Sequence, residues 1–455
     1  MVEIARYNTW FKKNPQIKFS NVVSSFYLCC ILLAWWPYEQ AIAQDGQSDD
    51  FAQSAVKVAI NARSAQIFDS LVAFRRDLHQ HPELGGNEMR TASKIAEYLL
   101  GLGLEVKTGI GGYGVVGILH GAKKGRKLAW RADIDALASD HPDVVDFEST
   151  VPGVRHICGH DVHATIALGI ADVLASQKEQ LQGTVYFIFQ PSEENVRGAK
   201  AMIADGLFED ISPEEIYALH VSPYPEGIVV SKAGRIFADF DEIEMVFTKG
   251  KDSLEIIDFV KETLNGLETI ENPEIFYDPM NFADPEIGLV SPNTIYKDYV
   301  SVHSGYYIRD RDGELAISAN IGSTDDALLK KAKKRLEKEI KHSKYSNSFL
   351  GITYSDVTYH PENDSGLTET AARSITENFG GDTYFEQYGI VSGAGDDFAL
   401  FQEKVPGVYF LLGASDYEKD IIAETHSPHF QVDENCIKTG TKIFSTLLLE
   451  RLVPN

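Results

Sequence analysis

Nine consecutive residues, Arg155-His156-Ile157-Cys158-Gly159-His160-Asp161-Val162-His163, hold a cysteine, three histidines and an aspartate. A thiolate and an imidazole two residues apart, with a carboxylate beside them, are ligands for a borderline-soft divalent metal such as zinc. Further donors follow along the chain: Glu193 and Glu194 in Gln190-Pro191-Ser192-Glu193-Glu194, then His220, then His426 in Thr425-His426-Ser427-Pro428. Taken singly, His220 or His426 reads more readily as a hydrogen-bonded residue at a strand end, whereas the place of Glu193-Glu194 directly after an apolar strand and a Gln-Pro turn argues against a merely solvated acidic pair. Taken together, so many soft and nitrogen donors point to a metal site. Neighbouring side chains in a loop diverge, so one of the two glutamates can hold metal while the other faces the substrate as a general base.

The elements that would position these residues alternate in type. Apolar runs with strand character occur at Gly114–Leu119, Leu128–Trp130, Val185–Phe189, Ile216–Leu219 and Val408–Leu412. Helical periodicity covers Ala55–Leu102, broken at His79-Gln80-His81-Pro82-Glu83, and recurs at His163–Gln177, Val196–Asp205 and Asp433–Leu449. Strands alternating with helices predict an α/β fold whose mostly parallel sheet is flanked by helices. Each candidate donor ends such a strand or lies in the loop after it, where open α/β sheets bind ligands. From about Asp239 the texture changes to strands at Asp241–Phe247, Val300–Ile308 and Glu314–Ile321, with helices at Leu254–Leu267 and Asp325–Lys341. That pattern predicts a smaller α+β domain inserted into the first. The expected division is a catalytic domain over 55–239 and 347–455, with the insert at 240–346.

Residues 1–43 read as a signal peptide. Arg6, Lys12, Lys13 and Lys18 form a basic start, Val22–Trp36 is an apolar stretch, and Ala41-Ile42-Ala43 has the small residues of a cleavage site before Gln44. The alternative is an uncleaved membrane anchor, for which the apolar stretch is short. Cleavage predicts an exported protein, periplasmic or secreted, with no membrane attachment and a polar, flexible leader over Gln44–Ser54. It also removes Cys29 and Cys30, leaving Cys158 and Cys436, too few for a disulfide scaffold. A net charge of −25 and the lack of a basic block exclude nucleic acid as a partner.

The order of His79-Gln80-His81-Pro82-Glu83, Arg131-Ala132-Asp133-Ile134-Asp135-Ala136-Leu137, Cys158-Gly159-His160-Asp161, Gln190-Pro191-Ser192-Glu193-Glu194, Leu219-His220-Val221 and His426-Ser427-Pro428 resembles one metallopeptidase-like amidohydrolase family. Its branch includes auxin-conjugate hydrolases, hippurate hydrolases, N-acyl-amino-acid amidohydrolases and N-acetyl-diaminopimelate deacetylases. The resemblance covers residues 65–240 and 350–452. It implies a site for two divalent ions, zinc or manganese, with Cys158 bridging and His160, Glu194, His220 and His426 completing the ligand set. It places Glu193 as the general base, and Asp133 and Asp161 behind the ligands as orienting residues. It further implies hydrolysis of the amide of a small N-acyl amino acid or dipeptide-like substrate, and a lid insert that often dimerises.

The departures lie in the insert. A family histidine that helps hold the developing oxyanion is absent from Thr248-Lys249-Gly250-Lys251-Asp252-Ser253-Leu254, and an arginine that binds a substrate carboxylate is absent from Ala319-Asn320-Ile321-Gly322-Ser323-Thr324. Losing one oxyanion donor costs a factor on the order of 10² to 10³ in rate. His303, Arg309 and Arg311 are candidate substitutes. Gly395-Asp396-Asp397-Phe398 carries aspartate where the family often has glutamate. The expected activity is that of a metal-dependent amidohydrolase. The rivals are a dipeptidase or deacetylase with the same site, and a non-catalytic, metal-retaining binding protein; an intact Glu193 favours an enzyme.

Overall fold

A computed structural model describes residues 44–356, 359–391 and 394–453. The predicted signal peptide lies outside them. The helix α1 spans Gln44–Gln80 and α2 spans Met89–Gly101, separated at the His-Pro interruption. The expected flexible leader at Gln44–Ser54 is instead the first three turns of α1.

The central sheet is built from β1 (Glu105–Ile110), β2 (Gly114–His120), β3 (Lys123–Asp133), β4 (Gln182–Gln190), β5 (Glu215–Pro225), β6 (Val229–Ser231), β11 (Tyr384–Glu386) and β12 (Gly407–Ser415). Its order is β1-β2-β4-β3-β5-β12-β6-β11. The neighbours β4-β3, β3-β5, β5-β12 and β6-β11 are parallel, and the other three pairs are antiparallel. This is the expected mostly parallel α/β sheet. The central strands are buried on both faces, which explains their unbroken apolar runs. In β4, Val185, Phe187 and Phe189 face one core while Tyr186 and Ile188 face the other. The first core lies beneath α1, α3 (His160–Ala175) and α8 (Asn435–Leu452). The exposed strand β1 escaped the sequence reading because it buries only Ile110.

The insert has its own sheet, order β8-β9-β7-β10, from β7 (Asp239–Thr248), β8 (Val300–Arg311), β9 (Glu314–Ser323) and β10 (Phe349–Asp356), all antiparallel. In β7, Ile243, Met245 and Phe247 point into a third core, while Glu242 and Glu244 on the alternate face stay half-buried. The helices α5 (Ser253–Asn265) and α6 (Asp326–His342) cover that core through Val260, Leu264, Leu336 and Ile340. Asp325 caps α6 by accepting from the amides of Ala327 and Leu328. The fourth strand, β10, pairs with β7 and therefore lies beyond the boundary at 346 drawn from sequence texture. Its Ile352 and Tyr354 pack against the insert's core, so this stretch completes the insert. Among the described residues no helix is long and apolar enough to cross a membrane.

Candidate metal centre

The six residues singled out from sequence converge at the carboxyl ends of the parallel strands. Cys158 and His160 flank Gly159, which initiates α3 with φ +93°. A Cβ there would meet Val221 Cγ2 at 2.4 Å, so only glycine lets this turn press against β5. Glu193 and Glu194 lie in the turn after β4, His220 lies within β5, and His426 occupies the loop before α8 with φ +62°.

Cys158 is the hub. Its Sγ is 3.3 Å from His220 Nε2 and 3.2 Å from His426 Nε2. Two groups of three donors share it: Cys158, His160 and His220 on one side, and Cys158, Glu194 and His426 on the other. His160 Nε2 is 3.6 Å from Glu194 Oε1, and His426 Nε2 is 3.4 Å from Glu194 Oε2. His160 Nε2 and Glu194 Oε1 are buried with no hydrogen-bond partner. Such orphaned atoms are expensive unless something occupies the space between them. The donor set therefore fits divalent metal, and the shared thiolate fits a pair of ions. Cys158 and Cys436 are both buried free thiols, as the metal reading of Cys158 requires. The His426 side chain is 57% exposed, whereas His160 is fully buried, so the site opens to solvent on the His426 side.

Other groups fix the tautomers. The His220 ring donates from Nδ1 to its neighbour's carbonyl, Val221 O, at 2.7 Å, which presents Nε2 to Cys158. His160 Nδ1 pairs with Asp135 Oδ1 at 3.1 Å, and the other Asp135 oxygen accepts the Glu194 amide at 3.0 Å. Asp135 was missed in the sequence. The expected orienting role of Asp161 is not what the structure shows. Asp161 Oδ2 instead forms an ion pair with Arg75, whose Nε is 2.7 Å away, and pairs with His79 Nδ1 at 2.9 Å. The cause is helical: one residue past His160 the side chain is turned by about 100°, toward α1, whereas three residues on His163 returns to the His160 side. Asp133 binds His163 Nδ1 at 2.6 Å, and His163 Nε2 accepts the Val221 amide at 2.9 Å. Asp133 thus acts on the strand carrying His220, while its nearest approach to His160 Nε2 is 3.8 Å.

Behind Glu193 lies a buried charge network. Arg131, fully buried, pairs with Asp133 at 2.6 Å, Asp396 at 2.8 Å and Asp397 at 3.4 Å, and bonds Gln190 at 2.8 Å. The carboxylates of Glu193, Asp396 and Asp397 lie within 4.8 Å of one another. Burial, and then the Asp396 charge, pushes the Glu193 carboxyl well above its usual range. A raised carboxyl is what a base working near neutral pH needs. Burial pushes His220 down to about 3, so its ring is neutral and available as a ligand. The candidate lid substitutes are elsewhere: Arg309 and Arg311 pair with Glu244, and the His303 ring stands against Phe240 at 4.8 Å.

Residues 129–450 match the peptidase family M20/M25/M40. The chain belongs to that family. It is 30% identical over 399 residues to thermostable carboxypeptidase 2 of Saccharolobus solfataricus, covering 85% of this chain and 96% of the relative. It is 30% identical over 395 residues to N-acetylcysteine deacetylase of Bacillus subtilis, covering 83% and 95%. The fold is similar to that of the Bacillus subtilis YXEP protein, described as a dinuclear metal binding peptidase, with TM-score 0.67, 24% identity and coverage of 85% and 99%. This M20/M25/M40 member is a metal-dependent hydrolase of amide bonds, with the family's catalytic sheet and inserted lid.

Proposed function

We propose that this hydrolase cleaves the amide of a small N-acyl amino acid or related conjugate, with Glu193 as general base beside two divalent ions. The observation that carries the reading is the pair of three-donor groups sharing Cys158 Sγ. In it, His160 and His220 would hold one ion and Glu194 and His426 the other, with Cys158 available to both. A dinuclear neighbour of the same fold and a deacetylase among the relatives support it. Thiolate and imidazole suit zinc, and the carboxylate also accepts manganese. Bound there, the ions supply Lewis acidity that polarises the amide carbonyl and makes water more acidic. Glu193 Oε2, 3.8 Å from His160 Nε2, stands at the edge of the donor cluster. It accepts the proton of the attacking water and returns it to the leaving nitrogen. Its high carboxyl pKa, set by burial and Asp396, suits both halves of that transfer.

The carboxypeptidase relative supports a dipeptidase as the second reading, with the same residues in the same roles. Export rests on the basic start, apolar stretch and Ala41-Ile42-Ala43 of the leader. A homodimer through the insert rests on the family resemblance. The test is amine release from a panel of N-acyl amino acids and dipeptides, using the chain from Gln44 loaded with zinc or manganese. Chelator-sensitive release from N-acyl amino acids supports the reading. Release from dipeptides alone favours the second, and no release from any member overturns both.

A further inference from the structure

Between α5 and β8 the chain leaves the insert. Residues 266–299 cross to the catalytic unit before returning. Phe276, Leu289, Tyr296 and Tyr299 are buried in the same apolar cluster as Tyr224 and Leu411 of the central sheet. The segment also docks by backbone. The amides of Tyr388 and Gly389 donate to Leu289 O at 2.7 and 2.9 Å, and that of Ile390 donates to Tyr296 O at 2.8 Å. The Tyr299 hydroxyl donates to Ile390 O at 2.9 Å. The approach is close: a Cβ on Gly389 would meet Thr294 Oγ1 at 2.6 Å and Leu289 Cδ2 at 3.0 Å.

The contacts fall on the elements that carry the metal donors. Tyr224 is four residues past His220 on β5, and the turn at Pro279–Ala283 packs against that strand. We propose that residues 266–299 are a clamp that holds the insert in one position over the catalytic unit, so that the cleft keeps a fixed width during turnover. Two domains joined only by linkers move relative to each other by default, unless a large apolar interface stops them. Here a swing of the insert would expose three buried tyrosine and phenylalanine rings of the clamp and break the backbone bonds at 388–390.

The test uses the full chain with Thr294→Cys and Gly389→Cys, chosen because a Cβ on Gly389 would lie next to the Thr294 side chain. Hydrogen exchange at 388–390 and in β7 is compared between oxidised and reduced forms. The clamp predicts rates within about twofold, since reduction releases nothing that moves. Exchange at 388–390 at least about tenfold faster in the reduced form overturns it. If the cystine does not form, Tyr296→Ala decides. Exchange at 236–240 must rise about tenfold once the clamp is weakened, and no change overturns the proposal. A turnover arm rests on the hydrolase reading above. Oxidation should leave kcat of the cysteine pair unchanged, with the oxidised parent protein as control for Cys158, and a loss restored by reductant overturns the clamp. A parent protein inert toward every amide defeats the hydrolase reading and leaves the exchange result standing.

Discussion

Asp135 ties His160 to Glu194. One of its oxygens meets the His160 ring at 3.1 Å and the other holds the Glu194 amide at 3.0 Å, so a single buried carboxylate aims donors from both sides of Cys158. Asp135→Asn keeps the shape and can still accept the Glu194 amide, but weakens the pull on the His160 proton. Metal affinity should fall by roughly 10- to 100-fold, as for other residues that orient a ligating histidine. Competition with a chromophoric chelator measures this. Unchanged affinity would remove Asp135 from the site.

Cys158 belongs to both donor groups. Cys158→Ala should therefore weaken both ions together, whereas His220→Ala and His426→Ala should each weaken chiefly one. Isothermal metal titration of the three variants shows the number and affinity of the steps. A single clean step surviving in Cys158→Ala at parental affinity would contradict a shared thiolate.

Arg131 is the buried cation facing Asp133, Asp396 and Asp397. Replacing it with Met leaves those carboxylates buried without their partner. The expected loss is about 3–5 kcal/mol, read from urea unfolding. A loss under about 1 kcal/mol, the size of a surface ion pair, would mean that the network is not held by Arg131.

His79 and Asp143 make a buried pair at 3.1 Å. Burial opposes charge on both. Hydrogen bonds from His79 and Arg155 nevertheless hold the Asp143 carboxyl well below its usual range, and Asp143 and Asp161 raise the His79 pKa. The depressed carboxylate stabilises the fold above its unfolded pKa of about 3.9, and that stability is lost as pH falls through the folded value. The raised histidine stabilises below its unfolded pKa of about 6.5, and that stability is lost as pH rises through its folded value. The pair therefore contributes most between about pH 4 and 6.5. The stability gap between the parent protein and His79→Gln should be wider at about pH 5 than at about pH 9. A gap constant with pH would contradict the pairing.

Much of the site was legible because its donors are chemically scarce and sit after apolar runs: Cys158, His160, Glu193, Glu194, His220 and His426 do meet. Asp135 and Arg131 were not legible as supports, since a polar residue near a strand end looks alike whether it faces solvent or a buried histidine. Asp161 was misread because its place beside His160 in sequence becomes a quarter-turn or more away once α3 begins at His160. The clamp was invisible for a different reason. Residues 266–299 carry little regular structure, so no periodicity marks which of their aromatic side chains are buried.

The most direct measurement is turnover and bound metal in Glu193→Gln, made side by side with the parent protein. The account predicts both ions retained and a rate lower by a factor of roughly 10² to 10⁴, the contribution of a positioned base. Parental turnover in the variant would contradict Glu193 as the base, and loss of metal from it would place Glu193 among the ligands instead.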